Sequence, residues 1–120
     1  LCGDSDVREI TARADAGDEA ADLALDVFCH RIRKYVGAYV AVLGGCDALV
    51  FTAGIGEHSA AVRARVCTGL QVFGMALDDD LNERSAPVIS RADATTAVLV
   101  VPTDEEHAIA EQAAALVARR

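Results

Sequence analysis

The sequence has few aromatic residues and almost no lysine. Its 120 residues include two tyrosines, three phenylalanines and no tryptophan, so alanine, valine and leucine must form most of any core. Lys34 is the single lysine, and ten arginines stand among nineteen acidic residues in a chain whose formal net charge is −8. A protein that binds a nucleic-acid duplex needs a basic stripe to neutralise phosphates. We therefore expect no nucleic-acid partner.

Long apolar runs and metal-binding cysteine pairs are also missing. No apolar run reaches the roughly 20 residues that cross a bilayer, and nothing at the start resembles a signal peptide. We therefore expect a cytoplasmic protein with no membrane partner. The cysteines never stand at C-x-x-C or C-x-C spacing, so we expect reduced thiols rather than a metal site or a disulfide framework. These thiols are Cys2, Cys29, Cys46 and Cys67.

Helical and strand patterns alternate along the chain, which predicts an α/β fold. The first helix is expected from residue 5 to about residue 16, with Gly17 as its stop. A second helix begins at Asp18 and continues for about 25 residues until Gly44, because glycine beyond a helix end is a common terminator. Its apolar residues recur at helical spacing and are expected to face the core. They are Leu25, Phe28, Ile32, Tyr35, Tyr39 and Leu43.

Two continuous apolar runs, at residues 48–52 and 97–101, predict strands that are buried on both faces. A brief further strand is expected at residues 87–90. Ser59 is a suitable cap for a helix after the first strand, and a last helix is expected from Asp104 to the end of the chain. The predicted inner faces of these two helices are Val62, Val66 and Leu70 in the former and Ile109, Ala113, Leu116 and Val117 in the latter.

The loop after the first strand is the strongest local candidate for ligand binding. Gly54 and Gly56 lack side chains, so backbone amides there can approach a ligand closely. The loop leads into a helix start, which favours negative charge, and nucleotides commonly bind at the carboxyl ends of parallel strands. The pattern is neither a Walker loop nor a complete G-x-G-x-x-G, because no G-K-[ST] follows and Ser59 replaces the third glycine. Taken alone, the pattern fits either ligand binding or a tight turn without a ligand.

Two other polar segments could serve either a ligand or the helices alone. Thr103 and Glu106 have the spacing of a capping box, in which side chains satisfy amides at a helix start. Glu105 is not needed for that box and could hold magnesium beside a nucleotide, although first-turn acids often serve only the helix dipole. Residues 5–8 (SDVR) carry opposite charges near a helix start, a pattern that usually forms a solvated surface pair.

These three segments, in this order, resemble three motifs of the acetate kinase family. Residues 5–10 (SDVREI) resemble its S-D-x-R segment, and residues 47–59 (DALVFTAGIGEHS) resemble its D-A-[LI]-V-F-T-G-G-I-G-E-N-S signature. Residues 100–106 (VVPTDEE) are similar to its closing V-I-P-T-N-E-E segment. The likeness covers essentially the whole chain, and the glycine segment is highly specific.

The resemblance implies an actin-like ATPase fold built from two ribonuclease-H-like domains. Residues 1–120 would be the carboxy-terminal segment of the nucleotide-binding domain, with the amino-terminal domain absent. The implied reaction is the reversible, magnesium-dependent transfer of the ATP γ-phosphoryl group to acetate. Glu105 would be the magnesium-associated carboxylate. The implied contacts to ATP or ADP are Asp6, Val7, Arg8, Gly54, Ile55, Gly56, Glu57 and His58.

The family's acetate-binding and catalytic residues lie upstream of these motifs, so the resemblance implies no catalytic residue in this chain. The start at Leu1, without an initiator methionine, is also typical of a segment entered within a domain. We expect the isolated segment to be inactive, to bind acetate only together with the missing domain, and to form a homodimer as the family does. The alternatives are a propionate or butyrate kinase fragment, or a non-catalytic module that binds nucleotide or oligomerises.

Three positions depart from the family's pattern. Ala53 replaces a usual glycine, which we expect to be tolerated if its φ angle is negative. Asp104 replaces a usual asparagine and adds charge beside the predicted metal site. His58 also replaces an asparagine, and its bulkier ring can titrate near neutrality. We therefore expect His58 to alter nucleotide affinity or make that affinity pH dependent.

Overall fold

The computed structural model describes residues 2–118, with all side chains in that range except those at positions 105–107, 116 and 118. Helices and strands are mixed along the chain, so the predicted α/β class is confirmed. The elements are α1 (Val7–Asp15), α2 (Glu19–Leu43), β1 (Ala48–Thr52), α3 (Ala53–His58), α4 (Ala60–Cys67), a 3₁₀ helix (Leu70–Phe73), α5 (Asp79–Glu83), β2 (Ala97–Val101) and α6 (Glu105–Ala118).

Aspartate side chains cap the first two helices. The Asp6 carboxylate accepts a hydrogen bond from the Arg8 amide, and α1 therefore begins two residues later than predicted. Asp18 accepts hydrogen bonds from two amides in the first turn of α2. These oxygens satisfy donors that a helix start leaves without intrahelical partners. α2 ends where predicted, with Gly44 in the left-handed conformation at φ 74°.

α2 buries residues mainly along its amino-terminal half. The residues that it buries completely are Ala21, Leu25 and Cys29. Phe28 and Ile32 are partly buried against the same core, as predicted. The predicted stripe is wrong at its other end, where Tyr35, Tyr39 and Leu43 are exposed. In this half of α2 the residues that pack against the core are Val36 and Val40, four and eight positions after Ile32, so the packed side of the helix passes beside Tyr35 and Tyr39.

β1 and β2 form a two-stranded parallel sheet, in register over all five residues of each strand. Both strands have the predicted bounds. The prediction that both faces are buried is wrong, because Phe51, Val98 and Val100 are buried while Val50 and Val101 are exposed. Within the described chain only one face of the sheet is covered, so the strands show the alternation of a half-buried sheet.

The segment predicted as a strand at residues 87–90 forms two isolated antiparallel bridges instead. Leu77 pairs with Ser90, and Val88 pairs with Leu99 in β2. Pro87 has no amide hydrogen and cannot donate to a continuous ladder. The segment therefore follows the edge of β2 that faces away from β1 without becoming a third strand.

α4 packs the apolar face that the sequence predicts. Val62, Val66 and Leu70 are all buried, although α4 ends at Cys67 and Leu70 lies in the 3₁₀ helix. The four cysteines are free thiols. Burial raises the pKa of the Cys67 thiol to about 12, and it also raises the pKa of the Cys29 thiol. These two thiols serve the core as small apolar groups.

The predicted inner face of the last helix is wrong. Ile109, Ala113 and Val117 are exposed in α6, and the Leu116 side chain lies outside the described residues. An apolar pattern at helical spacing predicts a face that packs against another element, but no element of residues 2–118 buries this face of α6. Among residues 2–118, no helix has the length and apolar character that a membrane span requires.

Candidate functional site

The chain turns sharply after β1. α3 is a short helical segment with a kink at Gly54, whose φ of 4° and ψ of −90° are not helical. The predicted glycine loop is therefore partly helical. Ala53 has a positive φ of 56°, so the condition under which the alanine was expected to be tolerated, a negative angle, is not met. A left-handed conformation is unfavourable for a residue with a Cβ, so this corner carries backbone strain.

The two corners that follow β1 and β2 lie side by side. The strands are parallel neighbours, so their carboxyl ends share one edge of the sheet. Glu57 in α3 joins the corners, because its Oε1 accepts hydrogen bonds from the Thr103 amide at 2.9 Å and the Thr103 hydroxyl at 3.0 Å. The bond from the amide is the main cause that lowers the pKa of Glu57 below its ordinary value. An ionised Glu57 thus ties the first corner to the second.

The predicted capping box assigns Thr103 to the position that directly precedes the last helix. α6 begins at Glu105, so Asp104 rather than Thr103 directly precedes the helix. The Thr103 amide, which the box would have assigned to Glu106, donates to Glu57. The side chains of Glu105 and Glu106 lie outside the described residues. The magnesium role of Glu105 therefore stays a prediction.

A cavity of about 780 Å³ opens between the start of α1 and the first corner. Its wall includes six of the eight residues predicted to contact a nucleotide, from two segments that lie far apart in sequence. These six are Asp6, Val7, Arg8, Gly54, Ile55 and His58. Ser5, Thr11, Phe28 and Ser59 complete the lining, and no ligand role had been predicted for Thr11 or Phe28. The volume falls within the roughly 300–1,000 Å³ that is typical of small-molecule sites.

Asp6 and Arg8 form an ion pair at the cavity wall. Arg8 Nη2 lies 2.6 Å from Asp6 Oδ2, and Arg8 Nε donates a second hydrogen bond to Asp6 Oδ1 at 3.1 Å. The side-chain hydrogen bond from Arg8 is the main cause that lowers the pKa of Asp6 to about 2. The Arg8 side chain is 86% exposed, so the pair contributes little to stability. Its guanidinium is therefore open to solvent beside the cavity.

Gly56 and Glu57 do not line the cavity. Gly56 is buried behind the wall, where an added Cβ would lie 3.4 Å from the carbonyl carbon of Phe51. The carbonyl oxygens of Gly56 and Glu57 accept hydrogen bonds from Arg63 at 2.9 and 2.8 Å. The structure therefore places both residues in the frame behind the wall, and their contacts with a nucleotide stay predictions.

Arg63 is the residue of this site that sequence reasoning missed. It is completely buried and is the largest fully buried side chain of the described chain. Charged residues are rarely buried without a specific partner. A usable signal was present, because Arg63 precedes the buried residues Val66, Cys67 and Leu70 by three, four and seven positions. That spacing places Arg63 on the inner face of α4.

The chain is similar to acetate kinases in sequence. The profile of the acetokinase family matches residues 1–111. The acetate kinase of Streptomyces avermitilis is 52% identical over 120 residues, which cover 98% of this chain and 30% of the relative. The acetate kinase of Streptomyces coelicolor is 55% identical with the same coverage. The chain thus spans about 30% of the length of these curated relatives.

Solved structures of kinases in this group share the fold of the chain. The acetate kinase of Porphyromonas gingivalis superposes with a TM-score of 0.79 at 43% identity, over 93% of this chain and 29% of that chain. A propionate kinase from Francisella tularensis superposes with a TM-score of 0.82 at 37% identity, over 88% of this chain and 27% of that chain. With a family match over most of its residues and this shared fold, the chain belongs to the acetokinase family.

Proposed function

We propose that this chain supplies part of the nucleotide site of an acetate kinase, which transfers the γ-phosphoryl group of ATP to acetate reversibly. The observation that carries the proposal is the convergence of two segments, one before α1 and one after β1, on a single cavity. Both segments were predicted to contact ATP or ADP. The names of the Streptomyces relatives support acetate as the acceptor.

The lining of the cavity fits an adenine nucleotide. Val7, Phe28 and Ile55 offer apolar surface for a base, and a few polar groups accompany them, as is usual in small-molecule pockets. Arg8 can stack on the base while its ion pair with Asp6 holds it in place. A Cβ added at Gly54 would meet no atom within 4 Å, so the backbone there is open to a ligand.

Magnesium is the second proposed group, with Glu105 as its protein ligand. Mg²⁺ usually keeps several waters and binds one or two carboxylates together with substrate phosphates. Glu105 begins α6 directly after the β2 corner, and Glu57 ties that corner to the glycine corner through Thr103. When bound, the ion neutralises negative charge on the phosphates.

Acetate binding and catalysis are proposed to lie outside these 120 residues. Phosphoryl transfer depends on positioning and charge stabilisation of the transferred group. The chain spans about 30% of the acetate kinases that it matches. We therefore propose that the chain is the carboxy-terminal segment of the nucleotide-binding domain and that it has no turnover by itself. The homodimer and the cytoplasmic location stay predictions.

Propionate is the alternative acceptor. The propionate kinase from Francisella tularensis superposes as well as the acetate kinase does, so the described fold does not distinguish the two acids. The product of the complete gene should be assayed for acyl phosphate formation from each acid. A higher kcat/KM with propionate than with acetate would favour the alternative.

Calorimetric titration with magnesium–ATP tests the nucleotide site. We expect weak binding by the wild type and no binding by Gly54→Val, because the new side chain takes up ligand space at the cavity wall. Nothing lies within 4 Å of a Cβ at this position, so the variant has room for the added group. Ala38→Val, at an exposed position of α2, is the matched control and should bind ATP as the wild type does. Unchanged affinity in Gly54→Val would exclude this wall as the site.

A further inference from the structure

Arg63 uses all five of its N–H donors behind the cavity wall. Nε donates to Asn82 Oδ1 at 2.7 Å, and Nη1 donates to the carbonyl oxygens of Gly56 and Glu57 at 2.9 and 2.8 Å. Nη2 donates to the Asn82 carbonyl oxygen at 2.7 Å and to Ser85 Oγ at 2.9 Å. One guanidinium in α4 thus joins the corner after β1 to the end of α5.

Burying a guanidinium in this way costs more free energy than burying an apolar residue that serves only packing. Arg63 is completely buried, and none of the ion pairs among the described side chains includes it. Burial lowers the pKa of Arg63, but arginine stays protonated in proteins. The buried charge therefore donates all five of these hydrogen bonds to neutral oxygens, and the Glu83 carboxylate acts on it only through space. Well-packed apolar residues are often at least as stabilising at such positions. What the guanidinium adds is a planar fork that fixes the direction and spacing of its acceptors.

The corner that Arg63 holds is strained and requires such a frame. Ala53 is left-handed at φ 56°, and Gly54 departs from helical geometry. Strained backbone persists only where the surrounding structure over-determines it. The Glu57 carbonyl oxygen accepts a hydrogen bond from the Ser85 hydroxyl at 3.2 Å in addition to that from Arg63. The strained residues are therefore anchored directly on their carboxyl side.

We propose that Arg63 is a positioning residue for the nucleotide, which sets the backbone of Gly54 and Ile55 at the cavity wall without touching the ligand. The inference rests on the proposed nucleotide site. It depends on the fork and not on the charge alone, because lysine would keep the charge but offer three donors on a flexible stem. Asn82 completes the frame, since its Nδ2 donates to the Ala60 carbonyl oxygen and thereby orients the Oδ1 that Arg63 binds.

The magnesium–ATP affinities of three variants test the inference by calorimetry at a temperature where each is folded. Arg63→Lys is expected to bind about tenfold more weakly, which corresponds to about 1.4 kcal/mol. Ser85→Ala, at an exposed position, removes the hydroxyl that accepts from Arg63 and donates to the Glu57 carbonyl oxygen. This variant is expected to bind about threefold more weakly with its fold intact. Arg65→Lys is the matched control, because Arg65 lies in the same helix but pairs with Asp22 and Asp26 of α2. Its affinity should equal that of the wild type.

The outcomes separate this inference from the proposed function. A wild type without ATP affinity overturns both. Wild-type affinity that Arg63→Lys and Ser85→Ala retain overturns the positioning role alone. A lower unfolding temperature of Arg63→Lys with unchanged affinity of the folded protein also overturns it, since that result shows a purely structural role. Weaker binding by folded Ser85→Ala, with Arg65→Lys unchanged, supports positioning of the corner by the hydrogen-bonded frame that Arg63 and Ser85 share, even where Arg63→Lys fails to fold.

Discussion

Ala53→Gly should stabilise the protein, although alanine-to-glycine changes usually destabilise. Ala53 has a φ of 56°, and a left-handed conformation costs a residue with a Cβ about 1–2 kcal/mol. Glycine removes this cost but gives the unfolded chain more conformational freedom, worth about 0.4–1 kcal/mol. The difference predicts a net gain of about 0.5–1 kcal/mol in the free energy of unfolding. In a chain of this size the unfolding temperature should rise by roughly 2–6 °C.

Urea unfolding followed by circular dichroism measures the effect of Ala53→Gly. Ala38→Gly is the matched control, because it makes the same chemical change at an exposed position within the right-handed helix α2. The control should lose about 1 kcal/mol, so the two variants should differ in sign. A destabilised Ala53→Gly with an unchanged m-value would refute the reasoning, because the left-handed angle would then carry no strain to release.

Three further predictions concern the rest of the chain. Gly74→Ala should lower the free energy of unfolding, measured in urea, by about 2–4 kcal/mol, because φ is 80° and the new Cβ would overlap the Thr95 hydroxyl. A loss below about 0.5 kcal/mol, the size of a neutral surface change, would contradict the described packing. Glu57→Gln should lower the unfolding temperature at neutral pH. Because the hydrogen bonds from Thr103 lower the pKa of Glu57, its stabilisation is present above the ordinary value of 4.5 and is lost as the pH falls through the lowered value. A difference from the wild type that does not shrink as the pH falls progressively below 4.5 would count against this linkage. Iodoacetamide at pH 8 should leave Cys67 unmodified in the folded protein, because that thiol is buried with a pKa of about 12; rapid labelling detected by mass spectrometry would disprove its inertness.

The bounds of the elements were predictable where the signals are local. The strands at residues 48–52 and 97–101 are continuous apolar runs, and turn residues limit each run on both sides. Gly17 and Gly44 follow the first two helices and have left-handed φ angles of 91° and 74°. These angles favour glycine, so the stop signal and its physical cause lie in the same residue.

Burial was predictable only where a covering element exists. Tyr39 and Ile109 stand at helical spacing in their apolar patterns, yet both are exposed because no described element packs against them. The angle of Ala53 is imposed by the surrounding fold, and alanine itself gives no signal of it. The role of Arg63 depends on acceptors from α3 and α5 that come together only in the folded chain.

The candidate site was only partly predictable. Each of its segments had a structural alternative when considered alone, and the family resemblance was what joined them. The cavity then brings Asp6 and Gly54 together on one wall. The direction of the Glu57 side chain was not predictable, because its partner Thr103 follows a strand that pairs with β1 only in the folded sheet.

The central claim is that the segment before α1 and the corner after β1 form one nucleotide site. Nuclear magnetic resonance of the backbone amides during a magnesium–ATP titration tests it most directly. The largest chemical-shift changes should fall on Asp6, Arg8, Gly54 and Ile55, with little change at Tyr39 on the exposed end of α2. Saturating nucleotide that leaves these four amides unshifted, or that shifts only one of the two segments, would contradict the claim.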